Sequence, residues 1–200
     1  ALAALDDPNA EGALRSAALM GPDVPLTRWM YGAWLSREGL VDDGLRELEA
    51  ARDLDPDDAV IRYELAVNRL LAGALDEGID HLLAASDLNP DDGWVRIVLG
   101  LALLESERLD QAAAELEFGA RLRDDDAEAQ FLAALALSAT GDDDSAWMLL
   151  ERGRIMAQGT DELVANAVEE QIEEGHEAAR RLLERQLGPS ALRERLAARP

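Results

Sequence analysis

Leucine and small residues recur along the chain at a constant step of 34 residues. One column of positions holds leucine in five successive segments, and three other columns hold alanine or glycine. A constant step of this length is typical of arrays in which every unit is one pair of helices. The columns are Leu14, Leu48, Leu82, Leu116 and Leu150; Ala17, Ala51, Ala85, Gly119 and Gly153; Ala10, Gly44, Gly78, Ala112 and Ala146; and Gly32, Ala66, Gly100 and Ala134.

Turn residues divide these segments in a regular way. Glycine stands where the first helix of a unit would end, and Glu107 interrupts this column once. Glycine suits the left-handed conformation that ends many helices. Pro56 and Pro90 cannot continue a helix, and the aspartates beside them suit the cap of the next one. Each unit is therefore predicted to be a first helix, a glycine turn, a second helix and a proline–aspartate turn. The turn glycines are Gly39, Gly73 and Gly141.

The period, the small–small–leucine–small order and the closing proline together resemble the tetratricopeptide repeat. The resemblance covers about residues 8–158. It departs from the family pattern at Arg69, where a large buried residue is usual, and at Asp124 and Gln158, which replace the turn proline. It implies an all-α fold, a right-handed α-solenoid of stacked antiparallel helix pairs, in which each unit is stable only against its neighbours.

The predicted array fills residues 1–200 as a single domain. Its first part, residues 8–24, is the second helix of a truncated repeat, and full repeats follow at 25–58, 59–92, 93–126 and 127–160. A degenerate repeat is predicted at 161–188, and a polar closing helix at 189–200 would cover the last apolar face. The lone second helix at the start, together with Ala1 in place of methionine, predicts that the natural protein extends upstream.

Charge excludes two classes of partner. The chain carries 19 basic and 42 acidic side chains, for a formal net charge of −23. Such a field repels phosphates and anionic lipids, so no nucleic-acid partner is expected. All the basic side chains are arginine. A GC-rich genome and adaptation to high salt both explain the missing lysine, and the sequence leaves the two explanations open.

The chain offers no signal for membrane insertion. No stretch approaches the roughly 20 uninterrupted apolar residues of a membrane-spanning helix. The first residues lack a basic leader and run into Asp6 and Asp7, unlike a signal peptide. A cytoplasmic location is therefore favoured, and export directed by an upstream segment stays open.

Residues that would support catalysis are missing. Cysteine and lysine are both absent, which excludes thiolate sites, Schiff bases and Walker-type phosphate loops. His81 and His176 lie in different units on charged stretches, so both are predicted to be solvated. Carboxylates within 53–64 match part of a calcium loop, but Asp58 stands where that loop needs glycine. We therefore assign no catalytic, cofactor-binding or metal-binding residue and predict that the protein is not an enzyme.

The resemblance also implies a binding surface. First helices of tetratricopeptide arrays line a concave groove that usually receives a segment of a partner protein. Aromatic residues recur in one first-helix column here, and the acidic residues gather on second helices and turns. Such a groove suits an amphipathic helix or an extended peptide with basic flanks. The predicted groove residues are Trp29, Met30, Arg37, Tyr63, Val67, Trp94, Val98 and Phe131.

Two other uses of these side chains compete with partner binding. Packing between neighbouring helices is the preferred interpretation for Ile97, Leu101 and Leu135, and it stays open for the aromatic residues. The C-terminal helices, or a second copy of the chain, are alternative occupants of the groove. The family's clamp for acidic chaperone tails is excluded, because its lysine, asparagine and arginine positions hold other residues. Those positions are Trp29, Ala33, Glu64, Trp94 and Val98.

The predicted function is a non-enzymatic scaffold that binds a partner peptide or helix in the groove. One alternative is an accessory segment of a larger enzyme or of a membrane-anchored protein. Another is a module that assembles homo-oligomers.

Overall fold

The computed structural model describes residues 10–157 and 161–186, together with Leu192 and Leu196. Every regular element in this part of the chain is an α-helix, which confirms the predicted all-α fold. Most of the closing helix predicted at 189–200 lies outside the described residues, and Leu192 and Leu196 are helical and buried. The helices are α1 (Ala10–Met20), α2 (Pro25–Arg37), α3 (Val41–Leu54), α4 (Ala59–Leu71), α5 (Leu75–Leu88), α6 (Gly93–Glu105), α7 (Leu109–Leu122), α8 (Ala127–Thr140), α9 (Asp143–Met156), α10 (Asp161–Glu173) and α11 (His176–Gln186).

Aspartate caps begin three of the first helices at the 34-residue step of the sequence. Asp58 accepts hydrogen bonds from two backbone N–H groups of α4, and Asp92 does the same at α6. Asp126 accepts one from the Ala129 N–H at 3.1 Å. Each such cap stabilises its helix by about 1 kcal/mol. α2 begins instead with Pro25 in its first turn, where the missing N–H removes no helical hydrogen bond.

In three first helices, α2, α4 and α6, an arginine in the first turn binds the turn before the helix. The Arg28 Nε donates to the Pro22 carbonyl at 2.7 Å, and the Arg62 Nε donates to the Pro56 carbonyl at 3.1 Å. The Arg96 Nε donates in the same way to the Pro90 carbonyl at 3.2 Å. The three arginines stand 34 residues apart, so this contact repeats with the array.

The turn inside each helix pair is left-handed. Four turns use glycine for this conformation, and the fifth uses Glu107 with a φ of 61°. A residue with a side chain loses about 1–2 kcal/mol in this conformation. The interruption seen in the sequence is therefore a strained position. The four glycines are Gly39, Gly73, Gly141 and Gly175.

The described chain forms two compact units: unit 1 contains α1–α5 and Leu196, and unit 2 contains α6–α11 and Leu192. In unit 1, α2 pairs with α3, α4 pairs with α5, and α3 packs against α4. Glycines allow the first pair to approach closely, because a Cβ at Gly44 would lie 2.9 Å from the Gly32 carbonyl oxygen. Arg69, a departure from the family pattern, is half-buried and pairs with Glu49 and Glu77.

Unit 2 contains two further pairs and the last two described helices. α6 pairs with α7, α8 pairs with α9, and α7 packs against α8. α10 packs against both α9 and α8, as the first helix of a next pair would. α11 packs more extensively against α8 than against α10, its neighbour in sequence. The last pair therefore departs from the pattern of the earlier pairs.

Candidate partner-binding surfaces

The predicted groove residues of unit 1 differ in exposure. Trp29 is buried in a core cluster that includes Ala51 of α3, and Tyr63 and Val67 of α4 are also buried. Met30 is half-buried and packs against this cluster and against the cluster beneath α1. Arg37 is exposed at the end of α2. The accessible part of the predicted groove in unit 1 is therefore Met30 and Arg37.

The predicted groove residues of unit 2 show the same division. Val98 and Phe131 are buried, whereas Trp94 is half-buried with the Arg123 guanidinium 5.6 Å from its ring centre. A Cβ at Gly153 of α9 would overlap the Phe131 ring, which therefore packs against the second helix of its own pair. Participation of these residues in partner binding stays a prediction.

Residues of the first-helix column that contains the aromatic residues pack against small residues of the second helices. A Cβ at Gly119 would lie 2.8 Å from Ile97, in the same relation as Gly153 to Phe131. Ile97, Leu101 and Leu135 are all buried, as the packing interpretation expects. In the pairs α6–α7 and α8–α9, this column therefore packs inside the pair, against a glycine of the second helix.

α8 is buried on every side over two turns. Its residues 133–139 are all buried, with Leu135 at 4% and Ala139 at 6% exposure. A helix on the surface of a protein leaves one polar face in water. Four helices surround α8 instead: α7, α9, α10 and α11. The pairing of α8 with α9 accounts for one face, and α11 covers another.

α11 uses a short apolar stripe for its packing. Ala178, Ala179 and Leu183 are buried, while Arg181 on the same helix is exposed. The Arg180 Nε lies 3.2 Å from the Glu184 Oε1, one helical turn away. α11 is therefore an amphipathic helix whose apolar stripe is narrow and contains two alanines.

A cleft of about 200 Å³ lies between α11 and the turn that joins α6 to α7. Both charged and apolar side chains line it, among them the strained Glu107. Arg180 and Glu107 line the same cleft and carry opposite charge. The lining residues are Leu104, Glu107, Leu109, Arg180, Leu183 and Glu184.

The charge of α11 differs from that of the other second helices. α11 has three arginines and two glutamates. In α3, five acidic residues face two arginines, and α5 has four acidic residues and no arginine. α7 and α9 each carry three acidic residues against one and two arginines. α11 is thus cationic, in a chain whose formal net charge is −23.

Unit 1 has a cleft of its own, of about 260 Å³, between α1, α2 and α3. The Arg28 Nη1 donates to the Glu47 Oε2 at 2.7 Å on its wall. Leu19 and Met20, at the end of α1 beside this cleft, are 74% and 87% exposed. The residues that line the cleft are Arg15, Ala18, Leu19, Pro22, Arg28, Tyr31 and Glu47.

His81 interrupts a repeated ion pair. Arg28 pairs with Glu47, and 68 residues further on Arg96 pairs with Glu115 at 2.9 Å. In the repeat between them, His81 stands at the position of these glutamates, and Arg62 stands at the position of the arginines and lies near it. Burial lowers the pKa of His81 below its ordinary value of 6.5, and Arg62, Arg52 and Arg69 lower it further, against Asp80. The imidazole is therefore neutral at physiological pH.

His176 is exposed, with its Nε2 3.8 Å from the Glu177 Oε1. Within residues 10–157 and 161–186, no three histidine, aspartate or glutamate side chains converge as a metal ion requires. Among the helices described, none combines the length and apolar character that crossing a bilayer requires.

No protein-family model and no curated protein matches the chain. Solved structures do match it. A crystal structure of MamA superposes with a TM-score of 0.66 over 74% of this chain and 86% of that chain, at 22% identity. MamA 41-end from Desulfovibrio magneticus RS-1 gives 0.64 over 74% and 83%, at 16% identity. MamA AMB-1 gives 0.63 over 78% and 86%, at 21% identity. The likeness shows the fold, an array of tetratricopeptide-like helix pairs.

Proposed function

We propose that this protein is a non-enzymatic scaffold that binds a helix or peptide of a partner protein on its first helices. The packing of α11 on α8 carries the proposal, because there a first helix accepts an amphipathic helix from outside its own pair. Helices that bind in grooves do so through apolar anchors at helical spacing. The first-helix side of an array with this fold is thus suited to receive a helix.

The contacts proposed for the partner are the predicted groove residues that keep accessible surface. These are Met30 and Arg37 in unit 1 and Trp94 in unit 2. Met30 packs against the core cluster that contains Trp29, a buried member of the predicted set. The chain's net charge of −23 favours a partner segment with basic flanks, because opposite charge raises the rate of encounter.

Site-specific photo-cross-linking in the native host tests the proposal. A photo-reactive benzoylphenylalanine placed at Met30, on a first helix of unit 1, should give a discrete cross-linked partner. The matched control is the same residue at Leu83, which is 39% exposed on the second helix α5 of the same unit. Equal cross-linking from both positions would contradict binding on the first helices.

Self-assembly is a second candidate, favoured by the exposure of Leu19 and Met20 at the end of α1. Large apolar side chains beside an open cleft are typical of protein interfaces. Light scattering at two protein concentrations should then show association that the double variant Leu19→Asp, Met20→Asp abolishes. Ile155→Asp is the control, since Ile155 is 86% exposed in unit 2. A monomer at both concentrations would remove this candidate.

A further inference from the structure

We propose that the surface of unit 2 covered by α11 is a binding site for an arginine-bearing amphipathic helix of a partner, and that α11 is its exchangeable internal occupant. The proposal rests on the proposed function and names the chemistry of the partner and the regulation of one site. The surface consists of α8 and the turn between α6 and α7. A partner helix would bind there by displacing α11.

Packing gives the first reason. In the pairs α2–α3, α4–α5, α6–α7 and α8–α9, each second helix packs mainly on its own first helix. α11 packs mainly on α8, the first helix of the preceding pair. It therefore sits where a ligand of the first helices would sit, and not where the array alone would place a second helix.

Charge gives the second reason. α11 is cationic, whereas α3, α5, α7 and α9 are each anionic. A second helix that served only to build the array would not need a net positive charge. An arginine-bearing helix is what a body with a net charge of −23 attracts most strongly. α11 thus has the chemistry expected of a partner segment.

The turn between α6 and α7 gives the third reason. Glu107 holds a left-handed conformation that every other turn inside a pair of the described chain gives to glycine. Strained residues cluster at functional sites such as ligand-binding surfaces and switch regions. The Glu107 carboxylate lines the same cleft as Arg180 of α11. The chain therefore has an acidic side chain on the cleft that the arginine of the occupant also lines, in a left-handed turn where a side chain is sterically unfavourable.

The partner helix follows from the occupant. Its apolar stripe would be narrow, with two small residues and one leucine at the spacing of Ala178, Ala179 and Leu183. It would carry an arginine at the position of Arg180, next to the stripe. Because α11 is tethered, its high effective concentration lowers the apparent affinity of any competitor. Binding would therefore be weak until α11 is released.

Exchange of α11 for a free copy of its own sequence tests the proposal. The probe is a fluorescein-labelled peptide of residues 176–186, titrated into the whole protein and followed by anisotropy. The variant Leu183→Asp places a charge on the buried stripe of α11 and should release it. We expect the peptide to bind this variant at least tenfold more tightly than the unsubstituted protein. Leu163→Asp is the matched control, since Leu163 is 71% exposed on α10, and it should bind the peptide like the unsubstituted protein.

Three results would overturn the proposal. In the first, Leu183→Asp stays folded by circular dichroism and binds the peptide no more tightly than the unsubstituted protein. In the second, Leu183→Asp unfolds the protein, which would make α11 an integral part of the core. In the third, the peptide loses as much affinity through Arg181→Ala as through Arg180→Ala, which would show that the arginine lining the cleft with Glu107 does not determine binding. Cross-linking from Met30 concerns unit 1 and reports on the scaffold function independently of these results.

Discussion

The first helices α2 and α8 have the same place in their repeats and different surroundings. Arg37 in the last turn of α2 is exposed, whereas Ala139, at the same repeat position in α8, is 6% exposed. Ser36 is likewise half-buried, while Ser138 is fully buried and donates to the Asp143 Oδ1 at 3.1 Å. The repeat alone therefore does not decide whether a first-helix position is surface or core. A further helix placed on one side decides it.

The largest expected effect comes from exchanging these two positions. Ala139→Arg should lower the free energy of unfolding by about 3 kcal/mol, because a guanidinium has neither space nor water there. Arg37→Ala should change it by less than about 0.5 kcal/mol, because the side chain is exposed. Urea unfolding followed by circular dichroism measures both. Equal effects would mean that α2 and α8 are covered alike.

The next largest effects are expected at the repeat column of the second helices that holds only alanine or glycine, which differs between the two units. Gly153→Ala should lower the free energy of unfolding by about 2 kcal/mol, because the methyl group overlaps the Phe131 ring. In unit 1 the same column holds Ala51, which is fully buried, and Ala51→Gly should lower it by about 1 kcal/mol through helix propensity. Adding Phe131→Leu should recover part of the loss from Gly153→Ala. No recovery in this double variant would show that the ring is not what the methyl group meets.

Substitutions in the left-handed turns should change the free energy of unfolding by smaller amounts, with opposite signs in the two units. Glu107→Gly should raise the free energy of unfolding by about 1 kcal/mol, because glycine relieves the left-handed strain. Gly73→Glu in unit 1 should lower it by a similar amount, because Gly73 has a φ of 81°. Thermal unfolding of the two variants at equal ionic strength provides the comparison. A loss of stability in Glu107→Gly would mean that the contacts of its side chain outweigh the strain.

The smallest effect concerns His81 and pH. Its pKa in the folded protein is below 6.5, so the unfolded chain takes up a proton more readily as the pH falls. The folded protein should therefore lose stability relative to a His81→Gln variant as the pH falls from above 6.5 to below the folded pKa, by a small amount because solvent screens a partly exposed group. His81→Glu should remove this loss by giving Arg62 the carboxylate that Arg28 and Arg96 have.

For this prediction the control is His176→Gln, since the side chain of His176 is 64% exposed. Urea midpoints at several pH values between 5 and 8 measure the difference between each variant and the unsubstituted protein. Identical pH profiles for His81→Gln and the unsubstituted protein would contradict the account.

Local signals in the sequence were sufficient to predict the helices and where they begin. The first helices α4, α6 and α8 begin directly after Asp58, Asp92 and Asp126, because capping acts within one turn and can be read from neighbouring residues. The repeated arginine contact to the proline turn was missed although its signal was present. Arg28, Arg62 and Arg96 stand at the step of the array, and a search of charged columns would have found them.

The packing partner of a given side chain or helix had no such local signal. The position of the aromatic column on the groove side stays a prediction, and its member Phe131 packs against Gly153 within its own pair. The side that a column faces depends on the angle between the helices, which a periodic pattern leaves open. Occupation of the groove by the C-terminal helices was one alternative from the sequence, but the contact of α11 with α8 in particular was not predicted. One short helix with charges of both signs has no sequence feature that selects its neighbour.

Hydrogen–deuterium exchange of the whole protein measures directly whether α11 covers α8. The unsubstituted protein should protect the amides of residues 133–139, and Leu183→Asp should speed their exchange while leaving those of α2 unchanged. Unchanged protection of α8 in a folded Leu183→Asp variant that has lost protection in α11 would contradict the claim.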